Sequence, residues 1–190
     1  GMRAMFTMMN NARVQVGLQG VAIAEGAMQH ALDYARTRVQ SAKFGGGPAA
    51  VRIIEHADVR RTIMTMRALT EASRALVYLN AAVVDRAHTG DKAGQGLADL
   101  LTPISKSWAT DIGVEVASLG VQIFGGMGYV EETGAAQYLR DARIAPIYEG
   151  TNGIQAMDLV GRKLGMDGGQ HWKDLLGEVR ATLSDLDEDE

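Results

Sequence analysis

The stretch Ile104-Ser105-Lys106-Ser107-Trp108-Ala109-Thr110-Asp111-Ile112-Gly113-Val114-Glu115-Val116-Ala117-Ser118-Leu119-Gly120-Val121-Gln122-Ile123-Phe124 decides the fold class. Its residues Ile104, Trp108, Ile112, Val116, Leu119 and Ile123 recur in steps of three and four, which puts them on one face of a helix. The spacing predicts a helix from about Leu97 to Phe124. Pro103 falls near its start, where a missing amide hydrogen is tolerated. Gly125-Gly126-Met127-Gly128 ends it.

Upstream lie two more long helical stretches. From Ala4 to about Arg38, Met5, Met9, Val16, Ile23, Met28 and Leu32 recur at roughly helical spacing, and the other sides are also mostly apolar or small. Such a helix belongs in the middle of a bundle or at a subunit interface. A loop over Ser41–Ala50, marked by Gly45-Gly46-Gly47-Pro48, leads to a helix from about His56 to His88. Downstream the reading gives a short helix over about Thr133–Asp141 and an irregular stretch from Pro146 to Gly153. A further helix starts near Thr151 or Asn152, both good N-caps. A helical tail over about Gln170–Leu186 runs into an acidic, frayed end at Asp185–Glu190. Strand signals are almost absent. The expected fold is all-α: an up-and-down four-helix bundle with short additional C-terminal helices.

Composition narrows the function classes. The chain has 190 residues, 46% hydrophobic and 22% charged, with a formal net charge of −4. Neither nucleic acid nor an anionic membrane surface is suggested as a partner, since no basic run stands out. No segment has the uninterrupted apolar length of a membrane helix. Cysteine is absent, which excludes disulfides and thiolate chemistry and fits a cytoplasmic location. His56, His88 and His171 lack ligand spacing, so no metal site is expected. Trp108 reads as core and Trp172 as a tail-docking residue; Arg140, Asp141 and Arg143 read as structural ion pairs.

Three motifs carry a resemblance. The first runs from Met9-Asn10-Asn11-Ala12-Arg13 through Gly17 to Tyr34-Ala35-Arg36-Thr37-Arg38. The second is Gln122-Ile123-Phe124-Gly125-Gly126-Met127-Gly128-Tyr129. The third is Arg140-Asp141-Ala142-Arg143 followed by Ile147-Tyr148-Glu149-Gly150-Thr151-Asn152-Gly153-Ile154-Gln155. In this order on a helical background they resemble the C-terminal helical domain of the acyl-CoA dehydrogenase family, over residues 3–165. Residues 166–190 form a tail outside the resemblance. Gly46-Gly47-Pro48 and the stretch His56–Arg61 are similar to a subgroup of larger bacterial members, some of which handle 3-(methylthio)propanoyl-CoA.

The resemblance implies an FAD enzyme that oxidises an acyl-CoA thioester to the trans-2-enoyl-CoA, built as a homodimer or homotetramer, with electron-transfer flavoprotein as electron acceptor. It implies Glu149 as the base that removes the α-proton. Burial would raise its pKa, and Ile147 and Tyr148 would keep water out. The Glu149 backbone N–H would hold the thioester carbonyl, and Gly150 would admit the ligand closely. Arg38, Gln122, Gly125, Gly126, Thr151 and Asn152 are the implied FAD contacts. Arg38 and the 122–126 segment would reach FAD bound mainly by a neighbouring subunit. Lys43 is a second candidate phosphate partner, and an insertion delays Phe44. Asn10 and Arg13, with Asn10 where the family has aspartate, would lie against acyl-CoA; Met5, Phe6 and Met9 would line the acyl channel or serve as core. As an isolated chain this domain is expected to be inactive. Two alternatives stand beside it: a non-catalytic helical oligomerisation module of the same descent, and the family's DNA-associated branch, which the acidic balance disfavours.

Overall fold

Asp91 decides where the third long helix begins. Its carboxylate caps the helix by accepting from the Gly94 N–H (3.1 Å) and is held in place by Arg86 (2.8 Å). Those two contacts, the backbone one first, hold its carboxyl below the usual range. In the computed structural model, which describes residues 1–47 and 49–188, this helix therefore runs Lys92–Phe124 rather than starting near Leu97. Pro103 thus lies inside the helix, fully buried, where it deletes one backbone hydrogen bond. The side chains of residues 3, 4, 6, 7 and 186–188 are not described; the expectations for Phe6, Pro48 and the chain end at 189–190 lie outside the described residues.

The elements are α1 (Met2–Thr37), α2 (Ala57–His88), α3 (Lys92–Phe124), a single turn α4 (Gly126–Tyr129), α5 (Ala135–Ala142), α6 (Asn152–Asp158) and α7 (Gln170–Glu188). A π-type turn, Leu159–Lys163, continues α6. Among the described residues the only strand-like pairing is an isolated antiparallel bridge between Val39 and Arg52, closing the α1–α2 loop. The all-α, up-and-down bundle is the observed architecture. Its three long helices lie side by side, and the remaining face of α3 is closed by α5, α6 and α7.

α1 and α3 run parallel and cross very closely. A Cβ built on Gly20 would lie 2.3 Å from the Ala109 carbonyl oxygen, and one on Gly113 would lie 2.9 Å from that of Gly20. Ala24, Ala27, Ala31 and Ala35 extend this small-residue face along α1. The most buried side of α3 is accordingly Ser105, Ala109, Gly113, Val116 and Ala117. The stripe of large residues read from the sequence sits partly to one side, and Trp108 is 37% exposed rather than core. Close helix contact selects small residues; bulky ones fill the flanks. Aromatic packing closes the far end, where Tyr34 stacks on Phe124 (4.1 Å).

The tail docks through one tight contact. The His171 ring occupies the space a Cβ on Gly96 would need (2.1 Å), and Leu175 packs on Val83, Ala98 and Leu101. Trp172 lies over Gly169 (2.7 Å from its would-be Cβ). Arg140 pairs with Glu131 (3.6 Å) instead of Asp141.

Candidate active site

The segment between α5 and α6 turns sharply because two consecutive residues, Glu149 (φ 55°) and Gly150 (φ 82°), are left-handed. Glycine adopts this freely, whereas a glutamate there is uncommon and strained, so the surroundings must hold it. They do so from four sides. Lys106 donates to the Gly150 carbonyl and to Asn152 Oδ1, both at 2.8 Å. Gln155 donates to the Gly150 carbonyl (3.1 Å) and, at 3.5 Å, to that of Glu149. The Asn152 N–H reaches back to the Pro146 carbonyl (3.0 Å). The Tyr148 hydroxyl donates to Gln19 on α1.

Beneath the turn, Arg13 is 8% exposed and faces Asp158 (3.5 Å) and Asn10 (3.5 Å). Its Nη2 would lie 3.6 Å from a Cβ on Gly150. Arg13 thus packs beneath the turn without bonding to it, and Asp158 is also bound by Arg162 (2.9 Å). Asn152 is likewise turned inward: its amide donates to the Ser107 carbonyl (3.1 Å), Thr110 Oγ1 (3.0 Å) and Asp111 (2.8 Å). These contacts engage its side chain, and its N–H is already given to the Pro146 carbonyl. Thr151 caps α6 by accepting from the Ile154 N–H (3.2 Å).

Glu149 itself is exposed, and Ile147 is half exposed. The expected burial of the carboxylate is absent in this chain. A left-handed residue at the tip of a turn projects outward, while the space below is filled by Arg13, Lys106 and Gln155. The Glu149 N–H has no acceptor among the described residues.

Lys106 was missed by sequence reading. Its relative exposure is 0%, and that burial pulls its pKa down to about 8, with Asp111 opposing the shift, Arg13 adding to it and Glu149 opposing it. The available signal was its place on the small-residue side of α3, one helical turn from Ala109 and Thr110. An unfolded lysine titrates higher, so between about pH 8 and 10 the unfolded chain binds more protons than the folded one. Folding stability is expected to rise with pH over that window. Urea denaturation at pH 7 and 9.5 measures this, and Lys106→Met should remove its share of the slope.

A second constellation sits at the other end of α3, on the order of 28 Å away along the helix. A groove of about 710 Å³ is lined by Tyr34, Arg38, His56, Phe124, Gly125 and Gly126, among others. Arg38 is exposed, with a 3.4 Å bond to Gln40. Gly125 (φ 61°, ψ −140°) ends α3, and a Cβ on Gly125 or Gly126 would meet nothing within 4 Å, so the backbone is open to a ligand. Gln122 is exposed one turn before. A permanently charged fork beside open backbone fits a phosphate-bearing dinucleotide such as FAD. Lys43 instead pairs with Glu55 (2.7 Å), and Phe44 stands fully exposed on the loop. Among the described residues no cluster suited to a metal occurs, and no helix is long and apolar enough to cross a membrane.

The model of the acyl-CoA dehydrogenase C-terminal domain matches residues 1–164. The chain is 53% identical over 191 aligned positions to 3-methylmercaptopropionyl-CoA dehydrogenase of Ruegeria pomeroyi, covering 98% of this chain and 32% of that protein. To a butyryl-CoA dehydrogenase of Syntrophomonas wolfei it is 36% identical, covering 94% and 30%. The solved butyryl-CoA dehydrogenase of Megasphaera elsdenii superposes with a TM-score of 0.72 at 33% identity, over 86% of this chain and 39% of that one. The chain thus spans about a third of the length of the relatives it matches.

Proposed function

Since the chain belongs to the acyl-CoA dehydrogenase family, as its C-terminal domain, we propose that it supplies the base and a share of the cofactor contacts of an FAD-dependent acyl-CoA dehydrogenase. The observation that carries this reading is the braced left-handed turn at Glu149–Gly150, with a carboxylate at its tip and an unengaged N–H beside it. The Glu149 carboxylate takes the α-proton of the thioester. Its own N–H donates to the thioester carbonyl oxygen, where negative charge develops as that proton leaves. Gly150 lets the acyl chain approach. Bound FAD supplies the acceptor for the β-hydride.

In this chain Glu149 is open to water, so the desolvation that suits a carboxylate to this work comes from whatever covers the turn. In the proposed enzyme bound flavin and acyl-CoA supply that cover. Arg38, Gln122, Gly125 and Gly126 lie too far from Glu149 to serve the same flavin. Their separation supports a symmetric assembly in which each groove serves a neighbour's FAD. The 53% identity to a 3-methylmercaptopropionyl-CoA dehydrogenase supports a short, sulfur-containing acyl-CoA as substrate; electron-transfer flavoprotein as acceptor rests on the family resemblance.

The chain alone is expected to associate, because Met64, Tyr78 and Leu79 on α2 stand exposed; light scattering reports this, and a clean monomer would count against it. It is also expected to bind FAD weakly and to lack dehydrogenase activity. Gel filtration with added FAD tests this, and stoichiometric yellow flavin retained by this chain alone would contradict the division of contacts.

A further inference from the structure

We propose that Lys106 is a positioning residue for the base: its ammonium pins the Gly150 carbonyl and the Asn152 side chain so that Glu149 is held in its left-handed conformation. The inference rests on the reading of Glu149 given above and deepens it.

The geometry is that of a lock. Lys106 approaches from α3, the most deeply packed helix, and bonds at 2.8 Å both to the residue after Glu149 and to the first residue of α6. It thereby ties the C-terminal end of the strained segment, and the start of the helix that follows, to one rigid point. Asn152 extends the tie back to α3 through Ser107, Thr110 and Asp111. Gln155 shares the Gly150 carbonyl, but from α6, the element that directly follows the turn. Lys106 is thus the direct side-chain link from the bundle core to the backbone at Gly150. A buried lysine is costly to keep. An apolar residue at 106 would fill the space, but it would leave that carbonyl to Gln155 alone and the Asn152 oxygen to a long contact from Thr110 (3.4 Å).

The charged groups facing Lys106 are Asp111 on its own helix, Arg13 on α1 and Glu149 on the turn. None is bonded to its ammonium, so the tie runs through the neutral carbonyl and amide oxygens. Truncating Lys106 should loosen the turn while the α1–α3 crossing, set by Gly20 and Gly113, stays intact.

Hydrogen–deuterium exchange of this chain, comparing wild type with Lys106→Met, tests the structural half. Amides over 147–154 should exchange at least about tenfold faster, with α1 and α2 unchanged; unaltered protection of that segment would overturn the proposal. Should Lys106→Met fail to fold, Asn152→Ala decides by the same readout. It removes one of the two anchors, and unchanged exchange would again overturn it. In the FAD-loaded dehydrogenase carrying this domain, Lys106→Met should lower kcat by about 10²-fold, the size expected of a misplaced catalytic group, with KM within twofold. An unchanged kcat, or a loss confined to KM, would sink the positioning role. If Glu149 proves not to be the base, Glu149→Gln will reveal that by retaining turnover, while the exchange result on Lys106 stands by itself.

Discussion

Glu149→Gln, in a FAD-loaded dehydrogenase carrying this domain, is expected to slow acyl-CoA-dependent flavin bleaching by about 10³-fold, within the range general-base catalysis contributes. Acyl-CoA affinity should change little. Glutamine has the same shape, and the turn is held by backbone carbonyls and by neighbours other than the Glu149 side chain. What is lost is the basic oxygen. The backbone N–H remains, so binding of the thioester carbonyl persists while proton removal fails. Gly150→Ala provides the complementary case. Its φ of 82° is strained for alanine, and the new methyl would lie 2.8 Å from Gln155 Nε2. Activity should fall although the carboxylate is retained, because the turn moves. Stopped-flow absorbance at the flavin band measures both.

The second large effect concerns folding. Gly20→Ala is expected to destabilise the chain by about 3 kcal/mol, at the upper end of overpacking costs, which lowers Tm by roughly 10 °C for a domain of this size. The added methyl would sit 2.3 Å from a backbone oxygen of α3 and 2.9 Å from the Thr110 Cα, atoms that no rotamer change can move. The helices must separate, and every small-residue contact along them loosens. Gly120→Ala is the internal control. Its Cβ would find Ala27 and Met66 at 3.6–3.7 Å, ordinary contact distances. The gain in helix propensity, about 1 kcal/mol, then stands unopposed. Thermal melts of the two variants should move in opposite directions. Equal losses would mean that the α1–α3 crossing is looser than described.

The sequence made the helices legible and the packing between them only partly so. Periodicity in α3 marked a helix, but it weighted large side chains. The face that meets α1 is made of glycine, alanine and serine, which carry little hydrophobic signal, so Trp108 was placed inside although it is 37% exposed. Gly94 and Gly96 hid the first turns of α3, since the cap at Asp91 and the docking of His171 on Gly96 are decided in three dimensions.

At the candidate site, local motif chemistry was readable: the turn at Glu149–Gly150, the cap at Thr151, and the open backbone at Gly125 and Gly126. Roles that depend on side-chain direction were not. The motifs assign Asn152 to the cofactor and Arg13 to the substrate; in the fold the Asn152 side chain bonds across to α3 and Arg13 lies beside Asp158. Lys106 was silent in sequence because it lies 43 positions before Glu149 and belongs to no motif. Only the fold brings the two together.

The proposed activity depends above all on removal of the α-proton by Glu149. The measurement closest to it is deuterium incorporation at the α-carbon of a saturated acyl-CoA incubated in D₂O with the FAD-loaded dehydrogenase, read by mass spectrometry. Incorporation is expected with the wild-type enzyme, and its near-abolition in Glu149→Gln, with acyl-CoA still bound. Incorporation at the wild-type rate in Glu149→Gln would contradict it and place the base elsewhere.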